Sequence, residues 1–240
     1  MPASKYDCVV TDNFYESPDV YLLRMTFPPE FTFKPGQYVS FEYEKDGAKK
    51  LKPYSIASPP HILPEIEFCI KRVDAPVPGF VSNLLKPETT PKGAKFRALG
   101  PLGRFILEPP VPHDCIFIAT GTGIAPFVAM LGEIFKHGGT DRHIWLFYGV
   151  RYENGLVYHA LLEMWASQHP TFHYVPTLSR PEPTWKGGHG YVQHHFQKMI
   201  TEPKEKQVYI CGLKPMVEEV ITIAQQVGFG KEQIHFEKYV

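Results

Sequence analysis

A glycine-rich turn near the middle of the chain has the residue types and spacing of a phosphate-binding loop. It reads Ala119-Thr120-Gly121-Thr122-Gly123-Ile124-Ala125-Pro126 and follows the apolar run Cys115–Ala119. Glycines let a ligand approach the backbone, and a helix starting here offers free N–H donors and a positive dipole end. No Gly-Lys-Ser/Thr follows, and Pro126 occupies the place of the third glycine in Gly-x-Gly-x-x-Gly. The turn predicts a dinucleotide site, with a plain strand–helix connection as the alternative.

A second turn of similar type lies nearer the end of the chain. The apolar run Val208–Cys211 is followed by Gly212 and by a helical pattern that begins at Lys214. In an open parallel sheet, ligands bind outside the carboxyl ends of the strands, at the point where the strand order reverses. We therefore expect Cys211 to face the binding cleft, and the alternative is a buried core cysteine.

The elements that must position these turns differ between the two halves of the chain. In the first half, Tyr38–Tyr43 and Ile66–Lys71 alternate in polarity and are bounded by Gly or Pro. This pattern predicts short strands of an antiparallel barrel, with one helix at 80–85. The proline run Pro109–Pro112 predicts a linker, because proline cannot donate to a strand ladder. The predicted domains are therefore residues 1–110 and 111–240.

The second half alternates between apolar strands and amphipathic helices. The predicted strands are Cys115–Ala119, Ile144–Tyr148, Phe172–Pro176 and Gln207–Cys211. The predicted helices are Pro126–His137, Leu156–Gln168, Val192–Ile200 and Lys214–Val227. Continuous apolar strands separated by helices indicate an α/β domain with a doubly wound parallel sheet.

Composition excludes several classes of protein. The 240 residues carry 25 Lys+Arg and 25 Asp+Glu, whereas a general nucleic-acid binder is usually basic. No window approaches 18 apolar residues, and residues 1–7 contain no apolar signal segment, so we expect a cytoplasmic protein without a membrane span. The cysteines lack zinc or iron–sulfur spacing, which predicts reduced thiols and no bound metal. They are Cys8, Cys69, Cys115 and Cys211.

Several motifs, taken in order, resemble the ferredoxin–NADP reductase-like family. Lys52-Pro53-Tyr54-Ser55 is similar to the family's Arg-x-Tyr-Ser flavin motif, and Phe33–Val39 resembles the strand before it. Gly79–Leu85 resembles the start of the flavin-phosphate helix. The later matching segments are Gly121–Pro126, Tyr148–Arg151, Leu178–Pro181, Cys211–Met216 and the tail from Ile234. The resemblance covers essentially the whole chain and implies an FAD-binding Greek-key barrel followed by an NAD(P)H-binding α/β domain.

The resemblance implies an FAD site in the first domain. Tyr54 would pack on the isoalloxazine ring, and Ser55 would hydrogen-bond beside flavin N5. Lys52 replaces the usual Arg and offers one compact charge instead of a fork, which predicts looser FAD binding or competition by FMN. Ser82 and neighbouring amides would cap a short helix and hold a flavin phosphate. The other residues of the predicted FAD site are Pro53, Ile70, Lys71, Gly79, Val81 and Asn83.

The resemblance also implies the NAD(P)H site in the second domain. Gly121, Gly123 and Ile124 would line the pyrophosphate, and Thr122 would touch the nicotinamide or the flavin edge. Ser179 and Arg180, with Lys186 and Tyr191, resemble the set that grips the 2′-phosphate of NADPH, so NADPH is expected and NADH is the alternative. The remaining predicted contacts are Arg151, Gly212 and Met216.

Three residues are implied to act at the reaction centre. Ser55 would act at the flavin, and Cys211 would shape the approach of nicotinamide C4 without being a nucleophile. Glu237 would hydrogen-bond near the nicotinamide or relay a proton. Tyr239 would cover the other face of the flavin until nicotinamide displaces it.

The predicted function is flavin-dependent oxidation of NAD(P)H. Hydride would pass from the nicotinamide to FAD, and electrons would then leave to a separate acceptor: a ferredoxin, a flavodoxin, an oxygenase component or a small molecule. Two alternatives remain open. One is an NAD(P)H:flavin reductase that holds its flavin loosely, which Lys52 favours. The other is a non-catalytic electron-transfer subunit of a larger complex.

Overall fold

Six antiparallel strands form the first half of the fold. The computed structural model describes residues 3–74 and 79–239. The strands are β1 (Ser4–Ser17), β2 (Val20–Thr26), β3 (Tyr38–Lys45), β4 (Ala48–Ser55), β5 (Glu65–Lys71) and β6 (Lys95–Leu102). Their order in the sheet is β4-β3-β6-β1-β2-β5. A bridge between Ile56, just after β4, and Phe68 of β5 joins the two edges. This confirms the predicted Greek-key barrel.

The barrel closes around an aromatic core. Tyr21, Phe41 and Phe68 are almost fully buried, and the Phe41 and Phe68 ring centroids lie 5.0 Å apart, edge to face. Burying each such side chain contributes about 1.5–3 kcal/mol. The helix α1 (Phe80–Leu84) adds Val81 to this core. The core therefore fixes β4 and α1, which carry the predicted flavin motifs.

Six parallel strands form the second sheet. They are β7 (Asp114–Thr120), β8 (Ile144–Val150), β9 (Phe172–Leu178), β10 (Gly188–His189), β11 (Lys206–Leu213) and β12 (Ile234–Tyr239). In the order β10-β9-β8-β7-β11-β12, the strands from β8 to β10 lie on one side of β7 and those from β11 on the other, so the strand order switches between β7 and β11. This confirms the predicted parallel sheet and puts both glycine turns beside the reversal.

The helices of this half match the amphipathic segments, with one correction. They are α2 (Ala125–Lys136), α3 (His159–Gln168), α4 (Val192–Met199) and α5 (Lys214–Val227). The predicted start of α3 at Leu156 is wrong. Tyr158 has a left-handed backbone (φ 60°), so a regular helix begins only at His159, after a short 3-10 turn over Glu153–Gly155.

Packing divides the chain into two compact units. The first consists of residues 1–108 together with Ala125–Glu133, and the second of Pro109–Ile124 and residues 134–240. Inside the first unit, the rings of Phe105 and Phe127 lie 5.8 Å apart. The His61 imidazole also lies 2.9 Å from the Glu133 carboxylate. This part of α2 therefore packs against segments that connect or follow the barrel strands.

None of the helices in the described part of the chain has the length and apolar content needed to cross a lipid bilayer.

Candidate functional site

The glycine turn after β7 is shaped by the neighbouring strand. Gly123 lies against the end of β11, where an added Cβ would overlap the Cys211 carbonyl oxygen and lie 2.8 Å from Gly212 Cα. Only glycine lets these two strand ends approach so closely. Gly123 and Ile124 are buried, whereas Gly121 and Thr122 are partly exposed. A ligand would therefore meet Gly121 and Thr122 first, and the Ile124 side chain belongs to the core.

Thr120, the last residue of β7, carries an unpartnered polar group that sequence reasoning missed. Its Oγ1 is buried and has no hydrogen-bond partner among residues 3–74 and 79–239. Gly212 faces it, because a Cβ there would meet Thr120 Oγ1 and lie 2.9 Å from Met216 Cε. A hydroxyl left without a partner at the end of a parallel strand fits a site for a polar ligand. The pattern of the sequence cannot reveal it, because partners are visible only in the fold.

Cys211, Glu237 and Tyr239 come together at the ends of β11 and β12. Cys211 pairs in register with Glu237, and Leu213 with Tyr239. Burial raises the pKa of the Cys211 thiol, the charge of Glu237 raises it further, and a hydrogen bond with the Tyr239 side chain acts the other way. The thiol stays protonated near neutral pH and is a poor nucleophile. The structure thus groups these three predicted residues, with Cys211 fully buried.

Two arginines without carboxylate partners lie beyond the ends of β8 and β9. The Ser179 and Arg180 amides donate to the carbonyls of Val150 (3.0 Å) and Arg151 (2.9 Å). The Arg180 Nη1 donates to the Tyr152 hydroxyl at 3.4 Å. Neither Arg151 nor Arg180 forms an ion pair with any described residue, and both are exposed. Guanidinium groups without a carboxylate partner, carried by neighbouring backbone segments, can attract a phosphate.

Tyrosines flank this arginine pair. Tyr152, which sequence reasoning missed, is 46% exposed, and Tyr191 is 59% exposed. Interactions with both phenols raise the pKa of Arg180, the Tyr152 hydrogen bond having the larger effect. Lys186 is exposed and lies in the loop before β10. The structure thus groups Arg151, Ser179, Arg180 and Tyr191, and the role of Lys186 stays a prediction.

The predicted flavin motif ends β4 beside α1. The Tyr54 ring lies 5.8 Å from the core residue Phe41, and Ser55 is buried. Burial raises the pKa of Tyr54, with a smaller effect from Tyr43. The Tyr21 hydroxyl donates to the Ser82 carbonyl oxygen at 2.7 Å, which ties α1 to β2. The barrel therefore brings Tyr54 and Ser82 to one region.

Lys52, Lys71 and Ile70, three further residues of the predicted FAD site, differ in burial and in ion pairing. Lys52 is half-buried and forms no ion pair with the described residues. The Lys71 ammonium lies 2.8 Å from the Asp19 carboxylate, and the Ile70 side chain is buried. Of Lys52 and Lys71, Lys52 is therefore the one without an ion-pair partner among the described residues.

The start of α1 corrects one prediction. Ser82 is not the N-cap: the cap position is Gly79, and no side chain of the residues that the structure describes caps the helix. Ser82 Oγ instead donates to the Gly79 carbonyl oxygen at 3.2 Å, and the Asn83 amide donates to the same oxygen at 3.0 Å. The prediction fails because the helix begins two residues before Ser82. The Asn83 amide is thus already used within the helix.

Among the residues described, no group of three or more His, Cys, Asp or Glu side chains is placed to hold a metal ion.

Two family models match the chain in the order of these two sites. The model of the oxidoreductase FAD-binding domain matches residues 7–106, and that of the oxidoreductase NAD-binding domain matches residues 117–221. The chain is therefore an NAD(P)H-dependent flavoprotein oxidoreductase, with FAD and NAD(P)H as its cofactors.

Individual relatives place the chain more closely. It is 34% identical over 216 residues to ferredoxin–NADP reductase B of Sorangium cellulosum, covering 87% of this chain and 86% of the relative. The chain belongs to the ferredoxin–NADP reductase family. It is also 30% identical to the phenol 2-monooxygenase reductase component DmpP of a Pseudomonas strain, over 99% of this chain and 66% of that protein.

The solved structures agree on the fold. The cytochrome P450 reductase GcoB of Amycolatopsis superposes with a TM-score of 0.87 at 25% identity, over 99% of this chain and 70% of that one. The ferredoxin–NADP⁺ reductase of Plasmodium falciparum gives a TM-score of 0.83 at 22% identity, over 98% of this chain and 97% of the other. The chain spans about two thirds of the oxygenase reductase DmpP that it matches.

Proposed function

We propose that this protein oxidises NADPH in preference to NADH and delivers the electrons to a ferredoxin, a flavodoxin or an oxygenase component. The observation that carries the NADPH preference is the exposed pair Arg151 and Arg180, which has no carboxylate partner among the described residues. A 2′-phosphate would supply the missing counter-charge. A ribose 2′-hydroxyl would instead favour an Asp or Glu acceptor.

We assign FAD to residues 1–110 and NAD(P)H to residues 111–240. In the first segment, Tyr54 offers an aromatic ring and Lys52 a positive charge without an ion-pair partner among the described residues. In the second segment, Gly121 and Thr122 offer exposed backbone, Thr120 an unsatisfied hydroxyl, and Arg180 a guanidinium. These surroundings fit the polar and aromatic parts of the two cofactors.

The chain's own contribution is position and proton control. Bound FAD would supply the redox chemistry that links NAD(P)H oxidation to the acceptor. The protonated Cys211 thiol is a small, uncharged and fully buried group at the end of β11. Glu237, which pairs with Cys211 in register, places a carboxylate beside it that can hold or move a proton. Tyr239 is half-buried and would have to move for a ring to reach Cys211.

The coenzyme preference is tested with Arg180→Ala. We expect the affinity for NADP⁺ to fall about tenfold or more, because a charge-assisted hydrogen bond is lost, while the affinity for NAD⁺ stays within about twofold. Calorimetric titration of both nucleotides measures this. Arg104→Ala is the matched control, since Arg104 is exposed and lies in the barrel half. Equal losses for both nucleotides would contradict the assignment.

A loosely held flavin is the second candidate, and Lys52 favours it. The family's usual arginine would grip a phosphate with two parallel hydrogen bonds, whereas an ammonium acts as a point charge. Gel filtration of the purified protein distinguishes the two functions. FAD that stays with the protein supports the electron-delivering reductase. A flavin lost on the column, with NADPH oxidation restored by free flavin, supports a flavin reductase.

We also propose a cytoplasmic location. All four cysteines are unpaired and buried, as is common in reducing compartments. Fractionation of cells that express the protein tests this.

A further inference from the structure

Two histidines and a tryptophan meet at the amino ends of β8 and β9, away from the sites described above. His143 Nδ1 lies 2.8 Å from His173 Nε2, although the two residues are 30 positions apart in the chain. The Trp145 ring packs beside both imidazoles, with its centroid 5.5 Å from that of His143 and 5.3 Å from that of His173. We call His143 and His173 the histidine pair.

The backbone holds this pair in place before any ligand binds. The His143 amide donates to Asp114 Oδ1 at 3.0 Å, and the His143 carbonyl oxygen accepts a hydrogen bond from the Cys115 amide at 2.9 Å. His173 lies in β9, opposite Trp145 of β8. Both imidazoles are thus carried by one hydrogen-bonded sheet, so little conformational freedom is lost when a ligand joins them.

The surroundings leave the pair available to a cation. His143 is exposed, and His173 is half-buried. The guanidinium of Arg142, the residue before His143, lies 3.5 Å from the Glu205 carboxylate, so its charge is compensated. Burial lowers the pKa of His173, with a smaller effect from His143, so this ring is neutral near neutral pH. The neutral imidazole is the form that binds metal ions.

The distance between the two nitrogens favours one coordination geometry. Imidazole nitrogens bind zinc and similar ions at about 2.0–2.1 Å, which sets two of them about 2.9 Å apart at a right angle and about 3.3 Å apart at a tetrahedral angle. The observed 2.8 Å matches the right angle. Cu²⁺ prefers such tetragonal coordination and binds nitrogen ligands more tightly than its neighbours in the first row. Because His143 is exposed, its ring can turn so that both lone pairs point at one ion.

We propose that the histidine pair binds one Cu²⁺ ion, which takes the place of the hydrogen bond between the rings and bridges β8 and β9. The ring that donates that hydrogen bond keeps its proton by moving it to its other nitrogen. Water would complete the coordination, since no third His, Cys, Asp or Glu among the described residues is placed to join the pair.

This metal site is independent of the proposed coenzyme site. Arg151 and Arg180 follow the carboxyl ends of β8 and β9, whereas the histidine pair lies at the amino ends. The seven residues of β8 separate the two ends by about 20 Å. The spacing of residues in the sequence predicts no bound metal, because the two histidines become neighbours only when β8 and β9 pair.

Calorimetric titration of the purified, oxidised protein with Cu²⁺, in a buffer without chelators, tests the proposal. We expect one tight site. Its dissociation constant should rise about tenfold or more in His143→Gln and in His173→Gln, because losing even an outer-shell partner costs about 10–100-fold. Zn²⁺ should bind more weakly than Cu²⁺, and Mg²⁺ should not bind.

His235→Gln is the matched control. His235 is half-buried in the same unit, but its Nε2 lies 2.8 Å from the Gln207 side-chain oxygen instead of a second histidine. This variant should leave Cu²⁺ binding unchanged. Urea unfolding without metal shows whether each histidine variant remains folded.

Trp145 gives a second readout that does not depend on the histidine variants. Cu²⁺ bound beside an indole ring quenches its fluorescence, whereas Zn²⁺, with a filled d shell, does not. One equivalent of Cu²⁺ should therefore dim the unaltered protein, and Trp145→Phe should bind the ion equally well with most of the quenching gone. Unchanged Cu²⁺ affinity in either folded histidine variant, or full quenching in Trp145→Phe, overturns the proposal.

Discussion

At the scale of one residue, Thr120 shows how an unsatisfied buried hydroxyl lowers stability. Its buried Oγ1 lacks a partner within the described chain, and such a group costs about 1–3 kcal/mol. The sequence pattern points to Thr122 in the same turn and not to Thr120. Both are threonines beside a glycine, so residue type alone cannot tell which of them is buried without a partner. The difference is burial at the strand end, which the letters of the sequence do not show. The place of Cys211 near the end of a strand can be predicted, because the apolar run Val208–Cys211 marks that strand in the sequence.

The first prediction at this scale concerns that hydroxyl. Thr120→Val keeps the shape of the side chain and removes the unpartnered oxygen. We expect the free energy of unfolding to stay the same or to rise by up to about 1 kcal/mol, and the affinity for NADP⁺ to fall about fivefold or more. Urea unfolding and calorimetry measure the two effects.

Ser17→Ala provides the comparison for Thr120→Val. Ser17 Oγ is also buried without a partner in the described residues, but it lies in the barrel. This variant should leave NADP⁺ affinity unchanged. If Thr120→Val also leaves the affinity unchanged, the Thr120 hydroxyl has no part in binding.

At the scale of elements, the parallel strands were predicted best. β7 and β8 are continuous apolar runs that are buried on both faces, so their positions are clear from the sequence alone. β1 was not predicted, because its fourteen residues mix charged and apolar side chains and its alternation is irregular. The start of α3 depends on the left-handed backbone of Tyr158, which residue types do not determine. The predicted start of α1 at Phe80 is confirmed, and only the capping role predicted for Ser82 is wrong.

The connection between β7 and α2 gives the prediction at this scale. Gly123→Ala places a Cβ against the backbone of β11, which cannot move as a flexible side chain could. We expect the free energy of unfolding to fall by about 2–4 kcal/mol. Gly155→Ala is the matched control in the same unit, because its Cβ would lie 3.6 Å from Val150 Cβ, an ordinary contact. Urea unfolding of both variants measures the difference. If the two are equally stable, the close approach of the strand ends is not required.

At the scale of the whole molecule, the two units carry different acid-sensitive groups. In the α/β unit, burial lowers the pKa of His173, with a smaller effect from His143, and burial also lowers that of His235. In the barrel, hydrogen bonds from Lys49 and Lys5 lower the pKa of Glu42 to about 2. When folding lowers the pKa of a group, the folded protein is most stable above the pKa that the group has in the unfolded chain. This stability is lost as the pH falls from that pKa through the lower pKa of the folded state. The histidines act below about pH 6.5, and Glu42 only below about pH 4.5.

We therefore expect mild acid to weaken the α/β unit first. All three tryptophans, Trp145, Trp165 and Trp185, belong to that unit, so tryptophan fluorescence reports on it alone. Between pH 7.5 and 5.5, the urea midpoint followed by fluorescence should fall. The double variant His173→Gln, His235→Gln should show a smaller fall over the same range. An equal fall in the double variant would show that other groups cause it.

The shortness of β10 has a consequence for how copies of this protein behave in a crowded solution. A sheet edge with unpaired N–H and C=O groups can recruit a strand from another molecule, which begins aggregation. Here that edge is only Gly188–His189, and Gly190 follows with a left-handed backbone (φ 95°). Two residues give a foreign strand too few hydrogen bonds to compensate for its lost freedom. Where β10 covers β9, at Thr177 and Leu178, its two residues therefore leave little room for a foreign strand to add. The exposed Arg180, which we propose binds a phosphate, follows β9 at this end of the sheet and can remain accessible to solvent.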